Sequence, residues 1–352
     1  MEKMMLAGAY NGTPDIELLT TEVPEIKSDE ALLKIRAAGI CGTDLRILGS
    51  GHARIPEGVK RILGHEFSGE IVKVGSDVSW PEVGTRICAA PNMGCGTCDL
   101  CIQGNTQLCK NYYSFGVVID GAFAQYMKIP AGAIKQGNLS EIPENISYEE
   151  AAMVEPLSCA LRGLMSTSPK LGETILIIGV GAIGLMFVQL AKNQGLKLIV
   201  SSRNDQRSEL ARNFGADLTF NPTKEDFHET ILAATGGRGV DIAIVAAPSS
   251  EAQRNAIEVL AHHGRINFFG GLPKGNEITS IDANLVHYKE LTITGTTGSS
   301  VKQYRTALSL VENGMVKVDS LITHQFSIND AKEAIQSVRS KNGLKTIIVP
   351  NL

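Results

Sequence analysis

The chain has 352 residues, of which 43% are hydrophobic and 20% charged, with a formal net charge of -4 and a pI near 6.0. That length suits about two domains with ample core, and the mild acidic balance leaves no basic face for nucleic acid and no polybasic tract for a membrane surface. The opening residues, Met1-Glu2-Lys3-Met4-Met5, lack the apolar run of a secretory signal, so a soluble, cytoplasmic chain is expected.

An alternating segment from Leu32 to Ala38 reads as a strand and runs into Gly39-Ile40-Cys41-Gly42-Thr43-Asp44. Further on stands Gly64-His65-Glu66-Phe67-Ser68-Gly69, then Gly75 and Val78. Cys41, His65 and Glu66 are zinc ligands by residue type, although a single buried cysteine is most often core. Seven cysteines occupy positions 41, 88, 95, 98, 101, 109 and 159. Four of them, Cys95, Cys98, Cys101 and Cys109, crowd into fifteen residues with glycines at 94, 96 and 104 to make the turns. In a cytosolic chain that clustering points to metal rather than disulfides. Four thiolates can close a tetrahedron on zinc with no open position, a structural site. A redox C-x-x-C pair needs fewer cysteines than this, and a zinc-ribbon reader of nucleic acid needs a basic patch that the chain lacks. Cys88 lies in a strand-like run and Cys159 on a helix, both as core. The histidines at 52, 228, 262, 263, 287 and 324 read as surface or packing residues.

The stretch Thr174 to Arg203 has the order strand, glycine turn, helix, strand. The apolar run Ile175 to Ile178 meets Gly179-Val180-Gly181-Ala182-Ile183-Gly184, and a second run, Leu198 to Val200, follows an amphipathic segment to Asn193. In this context G-x-G-x-x-G reads as a dinucleotide site. Gly179 suits the tight turn, Gly181 the approach of a pyrophosphate, and Gly184 the packing of helix on strand. The helix start at Ala182 and Ile183 presents unpaired N–H groups to phosphates. A membrane helix is excluded, because the glycines interrupt the run before the roughly 20 apolar residues a span needs. After the second strand comes Ser201-Ser202-Arg203-Asn204-Asp205-Gln206-Arg207. The acid that holds the ribose of NAD is expected at Ser202 or Arg203, where there is none. Arg203, helped by Arg207, suits a 2′-phosphate. NADP(H) is therefore expected over NAD(H), with Asp205 turned back to the ribose as the alternative.

Downstream, Lys224 to Ala234 and Ser250 to His262 read as helices, each followed by a buried strand, Asp241 to Ala247 and Arg265 to Phe269. Leu291 to Thr294 reads as another strand, and Val301 to Glu312 and Asn329 to Arg339 as helices ending near glycines.

Taken together, the 64–78 pattern, the four-cysteine lobe and the glycine fingerprint resemble the zinc-dependent medium-chain dehydrogenase family of alcohol, sorbitol and threonine dehydrogenases. They come in that family's order and at its separations, over essentially the whole chain. The resemblance implies an α/β protein with a GroES-like β-rich catalytic domain at residues 1–150, its zinc lobe at about 90–112. A Rossmann domain at 151–290 and a return to the catalytic domain at 291–352 complete it. It implies two zinc ions per chain. Cys41 and His65 match ligands of the catalytic zinc, Glu155 the third ligand of the polyol branch, and Glu66 a carboxylate beside the metal that ligates in some members. Asp44 matches the acid that orients the ligating histidine, and Thr43 the hydroxyl that takes the substrate's proton. Cys95, Cys98, Cys101 and Cys109 match the structural zinc. Relatives are homodimers or homotetramers.

Two departures bear on the substrate. Many members carry a histidine two residues after the aspartate of C-G-T-D to finish a proton relay; here it is Arg46, which does not release a proton near neutrality. It suits a phosphate of cofactor or substrate instead. Sorbitol dehydrogenases carry an Arg-Tyr pair after the late strand, where this chain has the small residues Gly295-Thr296-Thr297-Gly298-Ser299-Ser300. The expected activity is hydride transfer between NADP(H) and a secondary alcohol, a polyol or sugar alcohol foremost. Sugar-alcohol phosphates, simple secondary alcohols and threonine are the alternatives within the class. A catalytically silent dinucleotide-binding protein is the alternative outside it.

Overall fold

The computed structural model describes residues 3–350. The chain divides into two compact units, Met1–Ser158 with Gly298–Leu352, and Cys159–Thr297. The helix Val154–Met165 carries the chain from one to the other, so the division falls somewhat beyond the expected residues 150 and 290.

The first unit is organised by the strand Ala31–Gly39. Its run of apolar and small residues is buried at seven of nine positions, as a strand covered on both faces must be. It pairs antiparallel with Glu66–Val74, bringing Gly39 opposite Glu66, and with Lys345–Val349, bringing Gly39 opposite Ile347. The C-terminal strands Ile322–Ser327 and Lys345–Val349 thus complete a seven-stranded sheet that begins in the N-terminal half. Register does the functional work here. The ends of three strands far apart in sequence meet where Cys41, His65, Glu66 and Lys345 stand. The lobe is closed by pairing of Asn92–Met93 with Tyr113–Ser114, and holds only short helical turns, Asp99–Ile102 and Thr106–Leu108.

The second unit is a six-stranded parallel sheet. Its order is Leu218–Phe220, Lys197–Ser201, Thr174–Ile178, Val240–Val245, Leu260–Phe268, Thr292–Gly295. The chain reverses direction of travel across the sheet beside Thr174–Ile178, the place where doubly wound sheets bind ligands. That strand is buried at every position, and the helix Ala182–Asn193 follows it.

Two expected helices are shorter than their periodicity suggests. Phe227–Ala234 begins late because Asp226 caps it, accepting from Glu229 N at 2.7 Å, and Asn221 to Glu225 form a turn instead. Ser250–Glu258 ends before His262 because Leu260 and Ala261 are taken into the sheet, Leu260 opposite Val240. His263 there adopts φ 58°, a left-handed conformation that turns the chain. The last helix begins as a tight turn, Ile328–Asp330, before Ala331–Arg339.

Candidate functional site

Cys41 stands at the N-terminus of the helix Gly42–Ser50, immediately after the central strand. His65 and Glu66 lead into the strand Glu66–Val74. One ligand-type atom from each of Cys41, His65 and Glu66 lies within 4.8 Å of the others. Asp44 fastens the two segments together. It is fully buried, and its carboxylate accepts from Cys41 N at 2.8 Å and from Gly64 N at 3.3 Å. Its Oδ1 lies 3.6 Å from His65 Nδ1, which leaves the ring's other nitrogen for a ligand. Burial works to lower the pKa of His65, but Cys41 and Asp44 outweigh it and hold the imidazole well above its ordinary value. Such concentrated, like-signed acceptors with a buried imidazole are the donor set a divalent metal satisfies. Glu155, buried at the start of the helix Val154–Met165, is not in the 4.8 Å group.

Sequence reasoning missed Lys345. Its ammonium is buried at the head of an otherwise apolar strand and is paired with Glu66. Burial works against its charge, but Glu66, Cys41 and Glu155 outweigh that and raise its pKa. A Cβ at Gly39 would stand 2.2 Å from Glu66 Oε2 and 3.0 Å from Lys345 Cε, so only glycine leaves room for the pair. The one signal in the sequence was a lysine opening the run K-T-I-I-V. Thr43, on the first turn of its helix, accepts from Arg46 Nη2 at 3.1 Å.

The four lobe sulfurs also lie within 4.8 Å of one another. Cys95–Cys101, Cys98–Cys101 and Cys98–Cys109 are separated by 3.9, 3.5 and 3.8 Å. These are far from the ~2.05 Å of a disulfide. They match the roughly 3.8 Å edge of a tetrahedron drawn with zinc–sulfur bonds of about 2.3 Å. Cys95 N donates to Cys109 Sγ at 3.4 Å, the backbone support a thiolate needs. Hydrogen bonds, first from the Thr97 backbone, lower the Cys95 thiol to about 6. Burial, then its sulfur neighbours, raises Cys101 to about 12.

In the second unit Gly179 adopts φ 96°, and a Cβ at Gly184 would stand 2.0 Å from Gly179 O. Nothing lies within 4 Å of a Cβ built at Gly181, the helix N-cap, so space is open at the N–H groups of Ala182 and Ile183. At the end of the Lys197–Ser201 strand, Ser202 Oγ is tied to Asn204, donating to its carbonyl at 3.0 Å. Arg203 is exposed and makes no ion pair among the described residues; Arg207 N caps onto Asn204 Oδ1 at 3.0 Å. Asp205 is engaged by Lys224 Nζ at 2.7 Å and Asn221 Nδ2 at 3.3 Å. The residues present therefore fit a phosphate-bearing dinucleotide.

The small stretch after the last parallel strand is less free than its side chains suggest. Ser299 Oγ shares a hydrogen bond of 2.6 Å with Ser158 Oγ, which donates to Glu155 O. Ser300 caps the helix Val301–Glu312. Both hydroxyls are occupied in seating helices.

Comparison with known proteins agrees with this geometry. A family model described as zinc-binding dehydrogenase matches residues 182–313, and one described as alcohol dehydrogenase GroES-like domain matches residues 27–139. The sorbitol dehydrogenase of Bacillus subtilis is 35% identical across 99% of this chain and 98% of its own length. The L-threonine 3-dehydrogenase of Pyrococcus horikoshii is 33% identical across 95% of this chain and 94% of its own. Among solved structures, a zinc-binding dehydrogenase from Sinorhizobium meliloti bound to NADP superposes with a TM-score of 0.90. It is 32% identical, and the match covers 99% of this chain and 100% of that one. No helix among the described residues is long and apolar enough to cross a membrane.

Proposed function

Because the chain belongs to the zinc-binding dehydrogenase family, we propose that it is an NADP(H)-preferring dehydrogenase of secondary alcohols, acting on a polyol or sugar alcohol. The observation that carries the reading is the Cys41, His65 and Glu66 group, gathered within 4.8 Å, with Asp44 fastening the Cys41 and Gly64 backbones beside it. We assign Cys41 and His65 as ligands of a catalytic zinc, with Glu66 or Glu155 as the third. Cys95, Cys98, Cys101 and Cys109 hold a structural zinc. Gly179, Gly181, Ala182, Ile183 and Gly184 receive the pyrophosphate, and Ser202, Arg203 and Arg207 the 2′-phosphate. Bound zinc supplies Lewis acidity to an alcohol or carbonyl oxygen, and the nicotinamide accepts or returns the hydride.

The chain's own residues then do the following. Thr43 Oγ1 accepts the proton of the substrate hydroxyl as it hands its own on to water, and the two transfers run backwards in the reverse direction. Arg46, donating to that same oxygen, keeps it in place. Asp44, its Oδ1 3.6 Å from His65 Nδ1, faces the ring on the side away from the ligating nitrogen. Lys345 holds Glu66 by an ion pair. The reading carries with it a homodimer or homotetramer and a cytoplasmic location.

A second reading has its own support: threonine, by the relative from Pyrococcus horikoshii, or a sugar-alcohol phosphate, by the exposed cation of Arg46 next to Thr43. The test follows absorbance at 340 nm with zinc-loaded protein, NADP⁺ and NAD⁺ in parallel, over polyols, their phosphates, simple secondary alcohols and threonine. Turnover of polyols with NADP⁺ at least about tenfold better than NAD⁺ supports the first reading; turnover confined to threonine or to phosphates replaces its substrate. An NAD⁺ preference removes the 2′-phosphate assignment.

A further inference from the structure

We propose that Lys224 is a specificity-determining residue for the phosphorylated cofactor, acting by holding Asp205 in an ion pair away from the adenosine ribose. The inference rests on the NADP(H) reading and deepens it. Asp205 is the one carboxylate between Ser201 and Arg207. It opens the helix Asp205–Asn213, next to the strand end where a ribose is received. Left alone, it could accept the ribose hydroxyls of NAD, or repel a 2′-phosphate carrying up to two negative charges.

The structure gives it other partners. Lys224 Nζ lies 2.7 Å from Asp205 Oδ2, and Asn221 Nδ2 lies 3.3 Å from Asp205 Oδ1 and 3.5 Å from Arg203 O. Those contacts, the lysine's first, hold the carboxyl below the usual aspartate range. The lysine comes from a loop that is itself pinned. Asn221 is buried, and its Oδ1 accepts from Thr223 N at 3.1 Å and Thr223 Oγ1 at 2.8 Å. Its carbonyl accepts from Lys224 N at 2.9 Å and Glu225 N at 3.0 Å. The other acid there, Glu225, is occupied by Asn221 N at 3.1 Å. Lys224 and Asp205 are both exposed, 62% and 70% at the side chain, and an ion pair so exposed adds little to stability. Its consequence falls on what binds beside it. Held by Lys224, the Asp205 carboxylate neither turns an acceptor to a ribose hydroxyl nor presents an unbalanced negative charge to a 2′-phosphate.

The test measures kcat/KM for NADP⁺ and NAD⁺ on wild type, Lys224→Ala, Lys224→Arg, Asp205→Asn and the Lys224→Ala/Asp205→Asn double variant. Lys224→Ala should lower the NADP⁺/NAD⁺ ratio about fivefold, an effect of the size a single surface charge exerts, through KM for NADP⁺ with kcat unchanged. Lys224→Arg should keep the wild-type ratio. In the Asp205→Asn background, removing Lys224 should change the ratio less than about twofold. No change in Lys224→Ala, or an equal fall in the Asp205→Asn background, overturns the inference while leaving the NADP(H) reading intact. A wild-type enzyme that prefers NAD⁺ overturns both.

Discussion

The cysteine lobe and the Cys41 cluster lie in one unit and are assembled in different ways. The lobe draws four sulfurs from fifteen consecutive residues, with two short strands to close it. Its outermost ligand, Cys95, is exposed. The Cys41 cluster draws its groups from separate strand ends, and the pair formed within it by Glu66 and Lys345, 279 residues apart, is almost wholly buried. The lobe offers four like sulfurs, enough to complete a tetrahedron, which suits a metal that only holds chain together. The cluster offers a mixed set with a buried cation among its acids, so its members can change partners. Closure suits a structural role and incompleteness a reactive one.

The sharpest break between the two should come from removing one ligand of each. Cys41→Ala should lower kcat/KM by about 10³-fold or more, the size of the Lewis-acid contribution, with the melting temperature little changed. Cys98→Ala should do the reverse. The lobe has no apolar core of its own, so loss of metal should cost about 3 kcal/mol, about 5 °C in Tm, while the folded fraction keeps its kcat. Equal loss of activity and stability in both variants would erase the distinction.

Next comes the cation. Lys345→Met leaves Glu66 buried without its partner, which should cost about 3 kcal/mol in metal-free protein. Glu66→Gln in the same chain should restore most of it, and denaturant unfolding of the single and double variants reads both. An unaltered midpoint in Lys345→Met would mean the pair is not the one holding Glu66.

The smallest effect is in pH. Ligating thiols must lose their protons, so metal uptake by the lobe releases them. With Cys95 lowered to about 6 and Cys101 raised to about 12, zinc at pH 7 must displace the Cys101 proton, whereas Cys95 has largely lost its own. Affinity should weaken as pH falls and do so more steeply below about 6, where Cys95 also takes up its proton. Zinc competition titrations from pH 5.5 to 8 check this; an affinity indifferent to pH would contradict it.

Much of this was legible in the sequence because the signals were local. The lobe, the glycine turn and the late strands each occupy one short stretch, and periodicity or spacing identifies them. Errors arose where the sheet overrode local periodicity. Leu260 and Ala261 continue a helical pattern but are worth more as strand partners of the Val240 segment. Lys345 was invisible for a related reason. Nothing near it in sequence indicates that register places it on Glu66, and a lysine at a strand start is ordinarily solvated. The engagement of the Ser299 and Ser300 hydroxyls is not legible in sequence because their partners, Ser158 and Gln303, come beside them only once the helices are placed.

The proposed enzyme is zinc-dependent, with one reactive and one structural metal. Zinc content by mass spectrometry, taken alongside 340 nm activity on the same samples, tests that assignment most directly. It predicts two zincs per chain in the wild type, one in Cys41→Ala with activity lost, and one in Cys98→Ala with kcat retained by the folded protein. A wild type holding a single zinc, unaffected by Cys41→Ala, would contradict it.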